Sequence, residues 1–145
     1  MLTITDMKPE HVPYVKRIMT RSWEIGIDET EADIKRWLDG TDGAYCLVGT
    51  VDGIPMATAA FDTISDVDYT ISPWNTLLWV EPEFRGQGYG QKLTKIRLQR
   101  ARKVGYDTVY LDTVNAKLYH LKYGWEVVKE IIYKGELDTI MKLKI

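Results

Sequence analysis

The spacing of apolar and polar residues changes several times along the chain, and each change marks an element. "LTITD" alternates and predicts a short strand, after which "KPEHVPYVKRIMTRSWEIG" brings Val12, Val15, Ile18 and Met19 to helical spacing. A second helix is predicted over "ETEADIKRWL", with Ile34, Trp37 and Leu38 on one side and Asp39-Gly40 ending it. "AYCLVGTV" and "IPMATAAFDTI" flank Asp52-Gly53, a strong hairpin signal, and read as two antiparallel strands. "WNTLLWV" is the near-continuous apolar run expected of a strand covered on both faces, and it stops at Glu81-Pro82. Leu93, Ile96, Ala101 and Val104 mark the inner side of a helix whose other positions are mostly Lys, Arg and Gln, and Gly105 caps it. The strand "TVYLDTV", a short helix over "AKLYHLKY", and two closing strands in "WEVVKEIIYKGELDTIMKLKI" that turn at "KGE" complete the chain.

This order mixes hairpins with one strand-helix-strand crossover, so the expected class is α/β with a mixed sheet. No repeat, low-complexity tract or linker interrupts it, and 145 residues suit one core; a single domain over 1–145 is the expectation.

Composition narrows the function classes. Nineteen basic against 21 acidic residues leave no positive field that would favour nucleic acid as a partner. No apolar run approaches the roughly 20 residues a spanning helix needs, and "MLTITDMKPE" lacks the pattern of a signal peptide, so a cytoplasmic protein without membrane association is expected. The lone Cys46 excludes an internal disulfide and, in the apolar run "AYCLVGT", reads as a packed thiol.

The chemistry concentrates in "RGQGYG", Arg85 to Gly90, where a strand hands over to a helix. The P-loop requires Lys-Ser/Thr after its last glycine, whereas Gly90 is followed by Gln91-Lys92. The dinucleotide fingerprint requires a glycine at Gln91 or Leu93. Both fail. Three alternate glycines could make a tight turn, or could let a helix N-terminus, with its unpaired N–H groups and positive dipole end, take an anion.

"LLWVEPEFRGQGYGQKL", Leu77 to Leu93, resembles the GNAT superfamily of acyl-CoA N-acyltransferases, whose phosphate loop has the form Gln/Arg-x-x-Gly-x-Gly/Ala after a strand. The strand "TVYLDTV", the aromatic-containing "AKLYHLKY" and "GWEVV" are similar to that family's next block, so the resemblance spans about Leu77 to Val128. It implies a mixed, mostly antiparallel sheet of about six to seven strands with helices on both faces. It implies acetyl-CoA as co-substrate, no metal, and transfer of an acetyl group to a primary amine by direct attack in a ternary complex. A non-catalytic acyl-CoA sensor is the alternative.

The resemblance also distributes the site residues. Leu78, Trp79 and Val80 would pair with the pantetheine arm. Arg85, Gly86, Gln87, Gly88, Tyr89, Gly90 and Gln91 would wrap the pyrophosphate, and Asn115 would meet the pantetheine amides unless it caps a helix. The family's acid is a tyrosine four residues before its Gly-Phe. Counting back from Gly124 reaches His120, and Tyr119 fills the slot only if the helix is one residue longer; Tyr119 is preferred, with a core aromatic and a solvent-facing histidine as the plain alternatives. Asp112, Glu81, Glu24 and Asp28 are candidates for the base, a role an ordered water could also fill. Acceptors would sit against "RSWEIGIDETEAD" and "FDTISDVDYTISPW", acidic segments that suit a cationic small-molecule or protein amine, or that are simply solvated surface. A homodimer is compatible with all of this.

Overall fold

Residues 1–145 are described by a computed structural model. Seven strands form one sheet: β1 (Leu2–Asp6), β2 (Tyr45–Val51), β3 (Ile54–Asp62), β4 (Trp74–Val80), β5 (Thr108–Thr113), β6 (Glu126–Tyr133) and β7 (Glu136–Lys144), in the spatial order β1-β2-β3-β4-β5-β7-β6. Every neighbouring pair is antiparallel except β4 and β5. That exception follows from the one crossover, since α3 (Tyr89–Val104) returns the chain across the sheet between them.

Helices cover both faces, as alternation along the strands requires. Cys46, Val48 and Leu77 point toward α1 (Val12–Arg17) and α2 (Ile27–Asp39), where Val15, Ile34 and Trp37 meet them. Leu47 and Ala59 point the other way, onto Leu93 of α3. A third cluster joins Phe61 and Ala101 to Val109, Leu111, Trp125 and Met141. The first helix is shorter than its sequence period, entering by a 3₁₀ turn at Pro9–His11 and leaving by a π turn at Ile18–Ser22.

Two expected core positions are exposed. In α2 the buried stripe is Thr30, Ile34 and Trp37, so Leu38, one position round from Trp37, falls outside it. In α3 the chain reverses at Gly105 (φ +112°) and Tyr106 packs against the Phe61 cluster, leaving Val104 in solvent. A third difference concerns β4. Trp74, Asn75 and Leu77 are buried but Leu78, Trp79 and Val80 are only half-buried, because β5 is registered with β4 at one position, Trp74 opposite Tyr110, and then leaves it.

Where β5 departs, β4 is distorted. Ala60 pairs with Thr76 and Thr58 with Trp79, so Leu77 and Leu78 together oppose Ala59, and Leu77 takes φ +52°. A left-handed leucine costs about 1–2 kcal/mol and needs external support. Thr58 donates its hydroxyl to the Leu77 carbonyl at 2.9 Å, and Arg97 donates to the Ala60 and Thr76 carbonyls at 2.9 and 3.1 Å. Arg97 is one of the Lys, Arg and Gln positions that the sequence assigns to the polar side of α3; it is 2% exposed, because its guanidinium holds the bulge from below.

Candidate functional site

β4 divides the site into two halves. On one side lies the glycine loop. After a 3₁₀ turn at Pro82–Phe84, Gly86 and Gly88 take φ +80° and +81°, which only glycine adopts without cost. Gly88 is the N-cap of α3; it offers no side-chain cap, and no acidic residue occupies the first turn. The leading N–H groups of α3 therefore have no side-chain acceptor. A side chain at Gly86 or Gly88 would meet nothing within 4 Å, so the loop's glycines are not dictated by packing.

Gly90 is different, since a Cβ there would lie 3.4 Å from the Tyr119 hydroxyl and 3.9 Å from Leu78. Tyr119 is brought over the loop by α4 (Lys117–Lys122), where its hydroxyl accepts a 2.6 Å hydrogen bond from Gln91. Leu78, Gly90, Gln91 and Tyr119 thus meet. Arg85 folds back, donating to the Val80 carbonyl at 2.8 Å and stacking 4.8 Å over Trp79. Asn115 is exposed and does not cap α4; the hydroxyl of Thr113 takes the Ala116 N–H instead.

His120, the other side chain in the gap-free count, turns inward from Tyr119. Its ring packs edge-on against Trp125, 6.1 Å between centroids, and burial with the nearby Arg97 charge holds it below the ordinary imidazole range. Neutral at physiological pH, it has no readily released proton.

On the other side of β4 a cavity of about 380 Å³ opens between α2, the β3–β4 connection and β5. Glu29, Asp33, Asp62, Asp66 and Asp112 line it with Trp37, Tyr69, Trp74 and Leu77. The two acidic segments, some 30 residues apart in sequence, converge here: Asp62 is buried and Asp33 half-buried, while Glu29 and Asp66 are exposed at the rim. Asp62 is neutralised by Arg36 at 2.7 Å and accepts a hydrogen bond from the Trp37 indole N–H at 3.2 Å. Asp33 has no such partner; burial, with Glu29, Asp62 and Asp66 around it, pushes its carboxyl up to about 6.

Asp112 ends β5 inside the cavity. Burial, then the adjoining carboxyl of Asp138, raise it to about 8, because two carboxylates in contact keep a proton between them. Asp138 is 2% exposed and comes from β7, whose pairing with β5 brings it there. Sequence reasoning missed it, and the one signal was an aspartate beside the apolar pair Ile140-Met141 in "ELDTIMKLK", in the stretch that the sheet buries. The remaining base candidates stand apart. Glu24 and Asp28 are exposed, and Glu81 accepts from the Trp79 indole at 3.0 Å with Arg17 3.7 Å away.

Cys46 is 1% exposed in the core under α1 and α2, and burial pushes its thiol up to about 12. No group of three or more His, Cys, Asp and Glu side chains is arranged to hold a metal ion, and no helix is long and apolar enough to cross a membrane.

Comparison with known proteins gives a consistent picture. The model of the acetyltransferase (GNAT) family matches residues 12–125. Curated protein sequences give no match. Among solved structures, Ard1 from Thermoplasma volcanium is 20% identical with a TM-score of 0.80, over 99% of this chain and 97% of that one. Ribosomal-protein-alanine N-acetyltransferase from Brucella melitensis is 15% identical with a TM-score of 0.78, over 99% of both chains. Aminoglycoside 6'-N-acetyltransferase, complexed with coenzyme A, is 12% identical with a TM-score of 0.78, over 98% and 96%. At these identities the likeness is one of fold.

Proposed function

The chain belongs to the acetyltransferase (GNAT) family, and from that premise we propose that it moves an acetyl group from acetyl-CoA to a primary amine by direct attack in a ternary complex. One observation carries the reading: neighbouring residues of β4 face different chambers. Leu77 lines the acidic cavity, while Leu78 reaches the glycine loop and Tyr119. The bulge that sets this pair apart sits where β5 leaves β4, and the transfer would take place at that open edge, between the two chambers.

The loop fits the pyrophosphate of coenzyme A. Gly86, Gly88 and Gly90 leave room for a ligand backed by the uncapped start of α3, with Arg85, Gln87, Tyr89 and Gln91 around it. Leu78, Trp79 and Val80 offer the edge that β5 vacates to the pantetheine arm, whose amides the exposed Asn115, just after β5, would meet. When bound, acetyl-CoA supplies the thioester carbonyl that the amine attacks.

The chain's own residues handle the protons. Asp112 accepts one from the ammonium of the acceptor, leaving the free amine to form the new C–N bond. A backbone N–H near Val80 receives the developing negative charge on the carbonyl oxygen. As the C–S bond breaks, Tyr119 gives its hydroxyl proton to the departing sulfur, and the second proton that the nitrogen sheds in becoming an amide restores the phenol. Its oxygen already accepts from Gln91, so that proton is uncommitted. The Tyr119 hydroxyl beside Gly90 supports turnover over a non-catalytic acyl-CoA sensor, since it puts a proton donor at the glycine loop.

Calorimetric titration with acetyl-CoA, followed by thiol release with a panel of primary amines, tests the proposal. Binding and amine-dependent release are expected; binding with no release for any small-molecule or peptide amine would overturn it.

A further inference from the structure

We infer that the acceptor carries at least two amino groups, a diamine or longer polyamine, with one ammonium held by Glu29, Asp33 and Asp66 while the other nitrogen reacts beside Asp112. This rests on the acetyl transfer proposed above. A nitrogen that attacks a thioester must be uncharged, so a lining of carboxylates does nothing for it at that moment; such a lining favours a second nitrogen that stays charged.

The cavity is short of cations. Asp62 is matched by Arg36, whereas Asp33 has no partner and Glu29 and Asp66 share one exposed lysine. Behind Asp112, the nine-tenths-buried Asp138 adds a carboxyl that no cation pairs and whose one polar neighbour is the carboxyl of Asp112. These carboxylates are not gathered as a single metal ion requires, so the cavity suits positive charge spread along a chain. The indole N–H groups of Trp37 and Trp74 are spent on Asp62 and on the Ile71 carbonyl, which leaves their rings to cover methylenes and an ammonium.

The protein supplies its own analogue of the ligand. Lys134, in the β6–β7 turn, places an alkylammonium 3.7 Å from Glu29 and 4.0 Å from Asp66 while remaining 63% exposed. It occupies the position assigned to the distal ammonium and would be displaced from it.

The test compares 1,4-diaminobutane and a triamine with n-butylamine, reading kcat/KM by thiol release at low salt. A charge-assisted contact of this kind is worth about 10- to 100-fold, and the diamine should lead by that margin. In the double variant Glu29→Gln, Asp33→Asn the diamine-to-monoamine ratio should fall at least about tenfold. Lys134→Ala should raise it, a gain that misfolding cannot produce. Equal use of diamine and monoamine, or a ratio indifferent to all three substitutions, overturns the inference while leaving acetyl transfer intact. Thiol release with none of the amines overturns the earlier reading instead. In that event calorimetry with 1,4-diaminobutane and the protein without acetyl-CoA decides this one: binding at least about tenfold tighter than n-butylamine supports it, and equal or absent binding ends it.

Discussion

The Tyr119 hydroxyl accepts a 2.6 Å hydrogen bond from Gln91, so the helix after β5 is latched to the first turn of the helix after β4. This contact puts a phenol over the glycine loop, with His120 turned toward Trp125. Tyr119→Phe should lower kcat about 100-fold, the usual scale for a positioned proton donor, and change acetyl-CoA affinity by less than about threefold. His120→Phe keeps the contact with Trp125 and should leave kcat within about threefold. The reverse result would assign the acid to His120.

Gly88 separates ligand space from turn geometry. Asparagine tolerates φ near +80° better than other side chains, and a Cβ there has no neighbour within 4 Å, so Gly88→Asn should cost less than about 1 kcal/mol of stability. If the loop wraps a pyrophosphate, the same side chain occupies the ligand's place and acetyl-CoA binding should weaken at least tenfold, since each lost charge-assisted bond is worth roughly 1.5–3 kcal/mol. Unchanged calorimetric affinity would mean that the glycines serve the turn alone.

Much of this was legible in the sequence because it is local. "RGQGYG" declares its geometry within six residues, Asp52-Gly53 declares a hairpin, and the one strand-helix-strand crossover makes the sheet mixed. What was illegible depends on register. Arg97 has the spacing of a surface residue on a basic helix, and nothing nearby reveals that two strand carbonyls wait beneath it. Asp138 meets Asp112 only because β7 inserts between β5 and β6. The acidic cavity draws on α2, the β3–β4 connection and β5, and either of its acidic segments alone has the composition of a solvated face.

Arg97 gives a stability test. The side chain is desolvated, with its charge met by carbonyls and no carboxylate, and burial pulls it down to about 10. Arg97→Ala removes the donors to Ala60 and Thr76 and leaves a void, at a cost of about 3 kcal/mol. The melting temperature should fall by about 10 °C, and because β4 is what the guanidinium supports, acetyl-CoA affinity should fall with it. An unchanged melting temperature would show that the bulge holds itself.

Cys46 lies in the core with a thiol held in its protonated form, so it should not alkylate in the folded protein. Acetyl transfer after prolonged iodoacetamide treatment should match the untreated rate. Stoichiometric loss of activity, with mass spectrometry locating the adduct at Cys46, would revive a covalent route.

Asp112 links the site to stability, and the sign is fixed by its direction of shift. Its carboxyl stays protonated up to about 8 in the folded chain, while the unfolded chain ionises near the ordinary aspartate value of 3.8. Between those limits the native state binds the extra proton, so this group makes the protein less stable as pH rises, and above about 8 the loss is complete. Asp112→Asn removes the titration. The variant should melt higher than the parent at pH 8, by roughly 3–6 °C for about 1–2 kcal/mol recovered, with the advantage shrinking toward pH 4. The same substitution deletes the proposed proton acceptor, whose ionised fraction grows through pH 8, so parental kcat/KM should rise across that range and the variant should lose both rate and rise. A variant that is more stable yet equally active would transfer the base's role to water and leave the Asp112–Asp138 pair as a feature of the fold alone.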